Sequence, residues 1–182
     1  MAIIVLDRDG VINFDSDNYI KTVDEWRPIP GAIEAMAKLS QAGHTLFIAT
    51  NQSGIGRGYY DVGTLRAMHK KMLALLAEEG GEVAGIYYCP HHPDDSCHCR
   101  KPLPGMLDDI IEQHKVSLET SFFVGDSLRD LEAGFERGCQ PILVKTGKGQ
   151  KTIDAGLPAT LSHTLVFSDL ASFADHLLAN SL

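Results

Sequence analysis

Strand-length apolar runs alternate with helix-length amphipathic segments along almost the whole chain, and this pattern limits the fold more than any other feature. The predicted strands are residues 2–6, 45–49, 83–88, 121–124, 141–145 and 165–167. The predicted helices are residues 31–42, 61–79, 105–115, 129–137 and 169–179. Repeated strand–helix alternation indicates an α/β fold, a Rossmann-like three-layer sandwich with a central parallel sheet. Ligands of such sheets bind outside the carboxyl ends of the strands, at a topological switch point.

The remaining stretches are predicted to be irregular: residues 10–29, 51–60, 89–104 and 146–164. We expect the first three to form the rim of a site, because loops on a rigid scaffold carry function. The chain has no internal repeat or linker, so a single domain over residues 1–182 is expected.

The net charge, the apolar stretches and the N-terminal sequence argue against some classes of function. The net charge is −8 and no basic run is present, which argues against a nucleic-acid partner. The longest apolar stretches have only strand length, and the N-terminus lacks the basic start of a signal peptide. We therefore expect a cytoplasmic protein without a membrane partner. A monomer is also expected.

Four short polar signals occur in one order along the chain, and three of them directly follow a predicted strand. They are Asp7-Arg8-Asp9-Gly10, Thr50-Asn51, Arg100-Lys101-Pro102 and Gly125-Asp126-Ser127. Carboxylates, a hydroxyl and a cation placed at strand ends can converge on one phosphate and one Mg²⁺. Together the four signals indicate a phosphohydrolase.

The spacing of the first signal suits a pair of carboxylates with different tasks. Asp7 and Asp9 can face one pocket if the chain turns at once, and Gly10 permits that turn. One carboxylate can attack phosphorus while the other protonates the leaving oxygen. The alternative is that the pair merely caps a loop.

The other signals supply the remaining groups of such a site. Asp126 would complete the magnesium ligands, and Thr50 and Lys101 would bind the equatorial phosphoryl oxygens. Asp130 is either the N-cap of the following helix or a residue just outside the metal ligands.

Three of the four cysteines lie within eleven residues, and their spacing is typical of a metal site. Cys89, His91, Cys97 and Cys99 suit tetrahedral Zn²⁺ with no open position, so the zinc would be structural. A loop of free thiols is the alternative. The ion would order the loop that precedes Arg100 and Lys101. His92 or His98 could replace His91, although the Cys-Pro-His order favours His91.

Two loops have the composition of a sugar-phosphate site. The polar stretch 13–19 suits a polyol, and the Gly-rich stretch 51–58 can present backbone N–H groups to an anion. The alternatives are a solvated loop and a flexible connection. Trp26 and Cys139 are interpreted as packing residues.

Together these motifs resemble the haloacid dehalogenase-like phosphatases, and among them the D-glycero-D-manno-heptose 1,7-bisphosphate 7-phosphatases. The resemblance covers residues 2 to about 145. It implies a capless fold with a zinc loop, in which Asp7 is the nucleophile and Asp9 the acid/base. It also implies Mg²⁺ bound by Asp7, the backbone carbonyl of Asp9 and Asp126, with Thr50 and Lys101 stabilising the phosphoryl group.

The expected substrate is a small sugar phosphate whose product enters lipopolysaccharide or other surface-glycan synthesis. The predicted substrate-binding residues are Asp15, Asp17, Tyr19, Asn51, Gln52, Ser53, Arg57 and Arg100.

Two features of the sequence differ from part of that family. Some members have Lys where this chain has Ser127, and the short zinc loop is shared with histidinol-phosphate phosphatases. Histidinol-phosphate phosphatase activity is therefore the main rival. The remaining hypotheses are a polynucleotide 3′-phosphatase and a non-catalytic, zinc-stabilised sugar-phosphate-binding protein.

Overall fold

The computed structural model describes residues 1–180, so the last two residues of the expected domain lie outside the described part. All six predicted strands are present, and no end differs from the prediction by more than two residues. They are β1 (Ile3–Leu6), β2 (Thr45–Asn51), β3 (Gly85–Cys89), β4 (Phe122–Gly125), β5 (Gln140–Val144) and β6 (Leu165–Phe167).

The strands form one parallel sheet in the order β3-β2-β1-β4-β5-β6. From β1 the chain first builds outward through β2 and β3, then returns to place β4 on the other side of β1. Ile4 pairs with Leu46 on one side and with Phe122 on the other. The connections therefore reverse direction at the β1–β4 boundary, and a crevice is expected there at the carboxyl ends of the strands.

Successive residues of the central strands enter two different hydrophobic cores. Ile4 and Leu6 of β1 belong to the core on one face of the sheet, whereas Val5 belongs to the core on the other face. This alternation buries the strands on both faces, which is why they read as continuous apolar runs. Trp26 and Cys139 are both buried, as expected of packing residues.

All five predicted helices are present, and a membrane-spanning helix is not found among the described residues. These helices are α1 (Ala32–Gln41), α3 (Val62–Glu78), α4 (Gly105–His114), α5 (Leu128–Phe135) and α7 (Leu170–Ala179). Asp61 and Asp169 cap α3 and α7 by accepting hydrogen bonds from the backbone N–H groups of Thr64 and Ser172.

Two short helices and one 3₁₀ turn lie in stretches that the sequence predicted to be irregular. They are α2 (Ser53–Gly56), α6 (Gly149–Ala155) and the 3₁₀ turn Ala159–Leu161. Helix α2 is a single turn with two glycines, and α6 buries only Gly149. Neither has an apolar face of helical period, so hydrophobic periodicity could not reveal them.

The N-cap of α7 offers a test of the fold away from the cavity. Replacing Asp169 with Ala removes the acceptor for the Ser172 backbone N–H, 2.8 Å away, and should lower the free energy of unfolding by about 1 kcal/mol. Asp169→Asn keeps a capping oxygen and should lose much less. Urea unfolding of both variants measures the difference, and equal stability of Asp169→Ala and the parent protein would contradict the capping role.

Candidate active site

A cavity of about 240 Å³ opens at the carboxyl ends of β1, β2 and β4. Asp7 follows β1 directly, Asn51 ends β2 and Asp126 follows β4. Asp9 and Lys101 also lie on its wall, together with all eight residues predicted to contact a substrate. The cavity therefore lies at the switch point of the sheet, and the three predicted rim stretches all contribute to it.

Three buried carboxylates meet at the bottom of this cavity. One oxygen from each of Asp7, Asp126 and Asp130 lies within 4.8 Å of the others. Burial and then the charge of Asp130 raise the pKa of Asp7 to about 7, and the same causes raise the pKa of Asp126 to about 8. Like charges this close favour protonation unless a cation compensates them, so the chemistry of this group suits a divalent metal ion.

The buried Lys101 is the cation that the chain itself places among these carboxylates. Its Nζ lies 2.9 Å from Asp7 Oδ1 and 2.7 Å from Asp130 Oδ1, and it donates to the carbonyl oxygen of Ala49 at 2.7 Å. Burial opposes the charged amine, but the carboxylates of Asp130 and Asp7 outweigh it and raise the pKa of Lys101. All three ammonium hydrogens thus have an acceptor.

Asp130 links this ion pair to helix α5. Its Oδ2 accepts from the backbone N–H and the hydroxyl of Ser127, at 3.1 and 2.8 Å, as part of a capping box. Because α5 begins at Leu128, Ser127 is the N-cap, and the prediction that allowed Asp130 as the N-cap is wrong. Burial raises the pKa of Asp130, but the charge of Lys101 more than offsets this and lowers it.

Asp9 faces a different set of partners. Its Oδ1 accepts from Arg8 Nη2 at 2.9 Å and from Asn13 Nδ2 at 2.8 Å, and its Oδ2 accepts from Gln52 Nε2 at 2.7 Å. Burial raises the pKa of Asp9, but Arg8 and these donors lower it overall. The carboxylate of Asp9 is not part of the three-carboxylate group. The sequence-based prediction assigned only the backbone carbonyl of Asp9 to the metal.

Gln52 is in turn held by Tyr60, whose hydroxyl donates to Gln52 Oε1 at 2.5 Å. Thr50 is fully buried and is not on the cavity wall; its hydroxyl accepts from Gln52 Nε2 at 2.9 Å.

Arg8, which sequence reasoning missed, is also fully buried, with Nη1 3.3 Å from His69 Nε2. Only its place between the two aspartates could have drawn attention to it.

Asn51 holds the backbone of the Lys101 loop. Its side-chain oxygen accepts from the Lys101 N–H at 3.0 Å, and its amide donates to the Lys101 carbonyl at 3.1 Å. This pair of hydrogen bonds fixes the loop against the end of β2. The Asn51 side chain therefore positions Lys101 in this structure.

The predicted turn at Gly10 is present, with φ at +83°. A Cβ on Gly10 would come within 2.0 Å of Asp126 Oδ2. Both the backbone conformation and the close approach of this carboxylate require glycine here.

The predicted zinc ligands also lie together. The ligand atoms of Cys89, His91, Cys97 and Cys99 are all within 4.8 Å of one another, with His91 Nδ1 3.2 Å from Cys99 Sγ. His92 Nδ1 instead accepts the backbone N–H of Asp94. Three thiols and one imidazole at these separations fit a tetrahedral zinc ion, and Lys101 follows two residues after the last of them.

The outer rim is built from aromatic and charged residues of three loops. The Arg57 guanidinium lies 5.8 Å from the centre of the Tyr19 ring, which packs edge-on against Tyr59 at 5.1 Å. Lys148 Nζ lies 3.3 Å from Asp15 Oδ2. Five further residues line the cavity and were not among the predicted site residues: Ser16, Ile20, Tyr60, Arg129 and Lys148.

Comparison with known proteins gives consistent matches. A family described as HAD-hydrolase-like matches residues 98–173. The chain is 58% identical over 178 residues to the D-glycero-beta-D-manno-heptose-1,7-bisphosphate 7-phosphatase of Pseudomonas putida, covering 98% of this chain and 100% of that protein. It is 60% identical over 177 residues to the enzyme of the same name from Pseudomonas aeruginosa, covering 97% and 98%.

A solved structure is similar over its full length. The D,D-heptose 1,7-bisphosphate phosphatase from B. bronchiseptica, crystallised with magnesium and phosphate, superposes with a TM-score of 0.95 at 52% sequence identity. The match covers 100% of both chains.

Proposed function

The chain belongs to the D-glycero-β-D-manno-heptose-1,7-bisphosphate 7-phosphatases of the HAD-like hydrolases, and from this we propose that it removes the 7-phosphate of that sugar bisphosphate. It is a phosphoric monoester hydrolase. The observation that carries the proposal is the pairing of Lys101 with Asp7 inside the group of three buried carboxylates, with Asp9 two residues further on. These groups supply a nucleophile, an acid/base and charge compensation in one cavity.

In the first step, a carboxylate oxygen of Asp7 attacks phosphorus and the bond to the sugar oxygen breaks. Oδ1 of Asp7 accepts from the Arg8 backbone N–H at 2.8 Å and pairs with Lys101. Oδ2 has no hydrogen-bond donor among residues 1–180, so we assign the attack to Oδ2. Asp9 gives a proton to the leaving alkoxide, and an aspartyl-phosphate on Asp7 results.

In the second step, a water molecule attacks the phosphorus of this aspartyl-phosphate. Asp9 is now a carboxylate and takes a proton from the water. The bond between phosphorus and the Asp7 oxygen breaks, which releases inorganic phosphate and restores Asp7. The donors from Arg8, Asn13 and Gln52 favour ionised Asp9 and so support its role as the base.

We infer that Mg²⁺ is held by the carboxylates of Asp7 and Asp126 and the backbone carbonyl of Asp9. The raised pKa values of Asp7 and Asp126 and their burial beside Asp130 support a cation there. When bound, the ion offsets the negative charge of these carboxylates and of the phosphoryl oxygens. Lys101 compensates the same charge from the chain itself, and Asp130 keeps Lys101 in place.

We also infer that the group of Cys89, His91, Cys97 and Cys99 holds a structural Zn²⁺. Such an ion would order the loop that ends in Arg100 and Lys101. No disulfide joins the four cysteines, which all lie within residues 1–180, and this supports a reducing location such as the cytoplasm. A monomeric, single-domain enzyme whose product is used for lipopolysaccharide or other surface glycans completes the proposal.

The main rival, a histidinol-phosphate phosphatase, agrees less well with the rim of the cavity. Arg57 and Arg100 lie on the wall in addition to Lys101. A bisphosphate brings a second anion to these cations, whereas the far end of histidinol phosphate carries an amine and an imidazole. The charge of the rim therefore favours the bisphosphate.

The nucleophile is tested by Asp7→Asn, which should abolish turnover because an amide cannot attack phosphorus. Asp9→Asn should be slower by about 10² to 10⁴-fold, the usual contribution of proton transfer. Steady-state rates at saturating magnesium measure both, with Asp175→Asn on the surface of α7 as the control. Near-normal turnover by pure, folded Asp7→Asn would contradict the covalent mechanism.

The two metals are tested by elemental analysis and by chelation. Purified protein should hold about one tightly bound zinc per chain, while activity should depend on added magnesium. Cys97→Ala and Cys99→Ala should lose zinc, thermal stability and activity together, because the loop that carries Lys101 loses its order. Cys139→Ala lies outside the group and should keep its zinc. Protein that contains no zinc when purified without chelator would refute the structural site.

Substrate choice is tested with three phosphate esters. The heptose 1,7-bisphosphate should give a higher kcat/KM than histidinol phosphate, and ³¹P NMR should show that the 1-phosphate remains. Arg100→Ala should cost about 1.5–3 kcal/mol in transition-state binding of the bisphosphate and less for a generic monophosphate ester. A higher kcat/KM for histidinol phosphate would overturn this assignment in favour of the rival activity.

A further inference from the structure

The side chain of Gln52 lies beside both Asp9 and Thr50, and its hydrogen bonds leave no amide N–H for a ligand. Its Nε2 donates to Asp9 Oδ2 at 2.7 Å and to Thr50 Oγ1 at 2.9 Å. A glutamine amide has only these two hydrogens. Gln52 is also buried, with only 3% of its surface exposed. A sugar oxygen that needs a donor from Gln52 could therefore bind only by displacing Asp9 or Thr50.

The donors to the Asp9 carboxylate are divided unequally between its two oxygens. Oδ1 accepts from Arg8 Nη2 and Asn13 Nδ2, whereas Oδ2 accepts only from Gln52 among residues 1–180. Each carboxylate oxygen has two lone pairs, so Oδ1 is fully occupied and Oδ2 keeps one position. An acid/base at Asp9 therefore exchanges its proton at Oδ2, the oxygen that Gln52 binds.

Tyr60 fixes the direction in which the Gln52 amide faces. Its hydroxyl donates to Gln52 Oε1 at 2.5 Å, and burial raises the pKa of Tyr60 to about 12, so the hydroxyl keeps its proton. Turning the amide over would remove this acceptor and would place Oε1 against Asp9 Oδ2, where two acceptor oxygens would meet. The Tyr60 ring packs closely on helix α2, since a Cβ on Gly54 would overlap it.

We propose that Gln52, held by Tyr60, is a positioning residue that orients the Asp9 carboxylate for proton transfer and does not contact the sugar. The proposal rests on the function proposed above, because it requires Asp9 to be the acid/base of an aspartyl-phosphate mechanism. In the first step the proton passes from Asp9 Oδ2 to the sugar oxygen as the bond between that oxygen and phosphorus breaks. In the second step a proton passes from water to Asp9 Oδ2 as the water oxygen bonds to phosphorus and the Asp7 oxygen leaves.

The first test removes one hydroxyl from each of two tyrosines. Tyr60→Phe keeps the ring but frees the Gln52 amide, and should lower kcat for the heptose 1,7-bisphosphate about three- to tenfold while KM changes less than about twofold. The matched control is Tyr87→Phe, which removes a hydroxyl that donates to Gln113 Oε1 at 3.0 Å outside the cavity. It should leave both constants unchanged. A higher KM at unchanged kcat for Tyr60→Phe would overturn the proposal in favour of a substrate contact.

The second test asks whether Tyr60 acts through Gln52. Gln52→Leu removes the polar atoms at similar size, and should lower kcat about tenfold or more. Adding Tyr60→Phe to Gln52→Leu should cost less than about a further twofold, because the hydroxyl has already lost its acceptor. Losses that multiply in the double variant would show that the two side chains act independently, which contradicts the proposal.

The third test follows the hydrolysis of the aspartyl-phosphate, which no longer contains the sugar. The leaving group of ³²P-labelled p-nitrophenyl phosphate needs no proton, so rapid mixing with Gln52→Leu should give a burst of nitrophenol, a slow steady state and ³²P trapped on the protein by acid. Hydrolysis of this intermediate as fast as in the parent enzyme would refute the role of Gln52. Trapped ³²P on Asp7→Asn would instead overturn the mechanism proposed above.

Discussion

The candidate active site depends on the repulsion among three buried carboxylates, which one ammonium group of the chain offsets only in part. Asp7, Asp126 and Asp130 come from different elements, and Lys101 reaches them from a loop on another part of the chain. The surrounding contacts hold Lys101 and its partner Asp130 in place. Asn51 fixes the backbone of Lys101, Ser127 fixes the second oxygen of Asp130, and the Cys₃His group lies just before Lys101 in the same loop. At this end of the sheet, the contacts that hold the loops together are therefore also the contacts that position Lys101 and Asp130.

Asp7 and Asp9 are separated by one residue, yet their surroundings shift their pKa values in opposite directions. The pKa of Asp7 is raised by burial and by Asp130, whereas the pKa of Asp9 is lowered by Arg8 and the amide donors. Without a metal ion, Asp7 therefore takes up a proton more readily than Asp9 does. The buried Arg8 produces much of this difference, since its guanidinium lies beside Asp9 while its backbone N–H binds Asp7.

Sequence reasoning located the strands and the metal-binding and carboxylate motifs because each has a regular signal: apolar period, fixed ligand spacing, or position after a strand. It could not find α6, which buries only one residue, nor place the start of α5 one residue earlier. With Ser127 as the N-cap, Asp130 is the third residue of α5, where it binds both Ser127 and Lys101. Arg129 and Tyr60 line the cavity but belong to no motif, so the sequence did not single them out.

The sheet order has a consequence for how the chain folds during its synthesis. Ile4 pairs with Leu46 early in the chain, but its other partner, Phe122, lies more than a hundred residues away. During synthesis β1, which Asp7 directly follows, can pair with β2 while its second edge stays open until β4 emerges. Contacts of such long sequence separation form slowly, and an open strand edge invites pairing with other chains. The crevice that serves catalysis in the finished protein is thus the part of the nascent chain most exposed to misassembly.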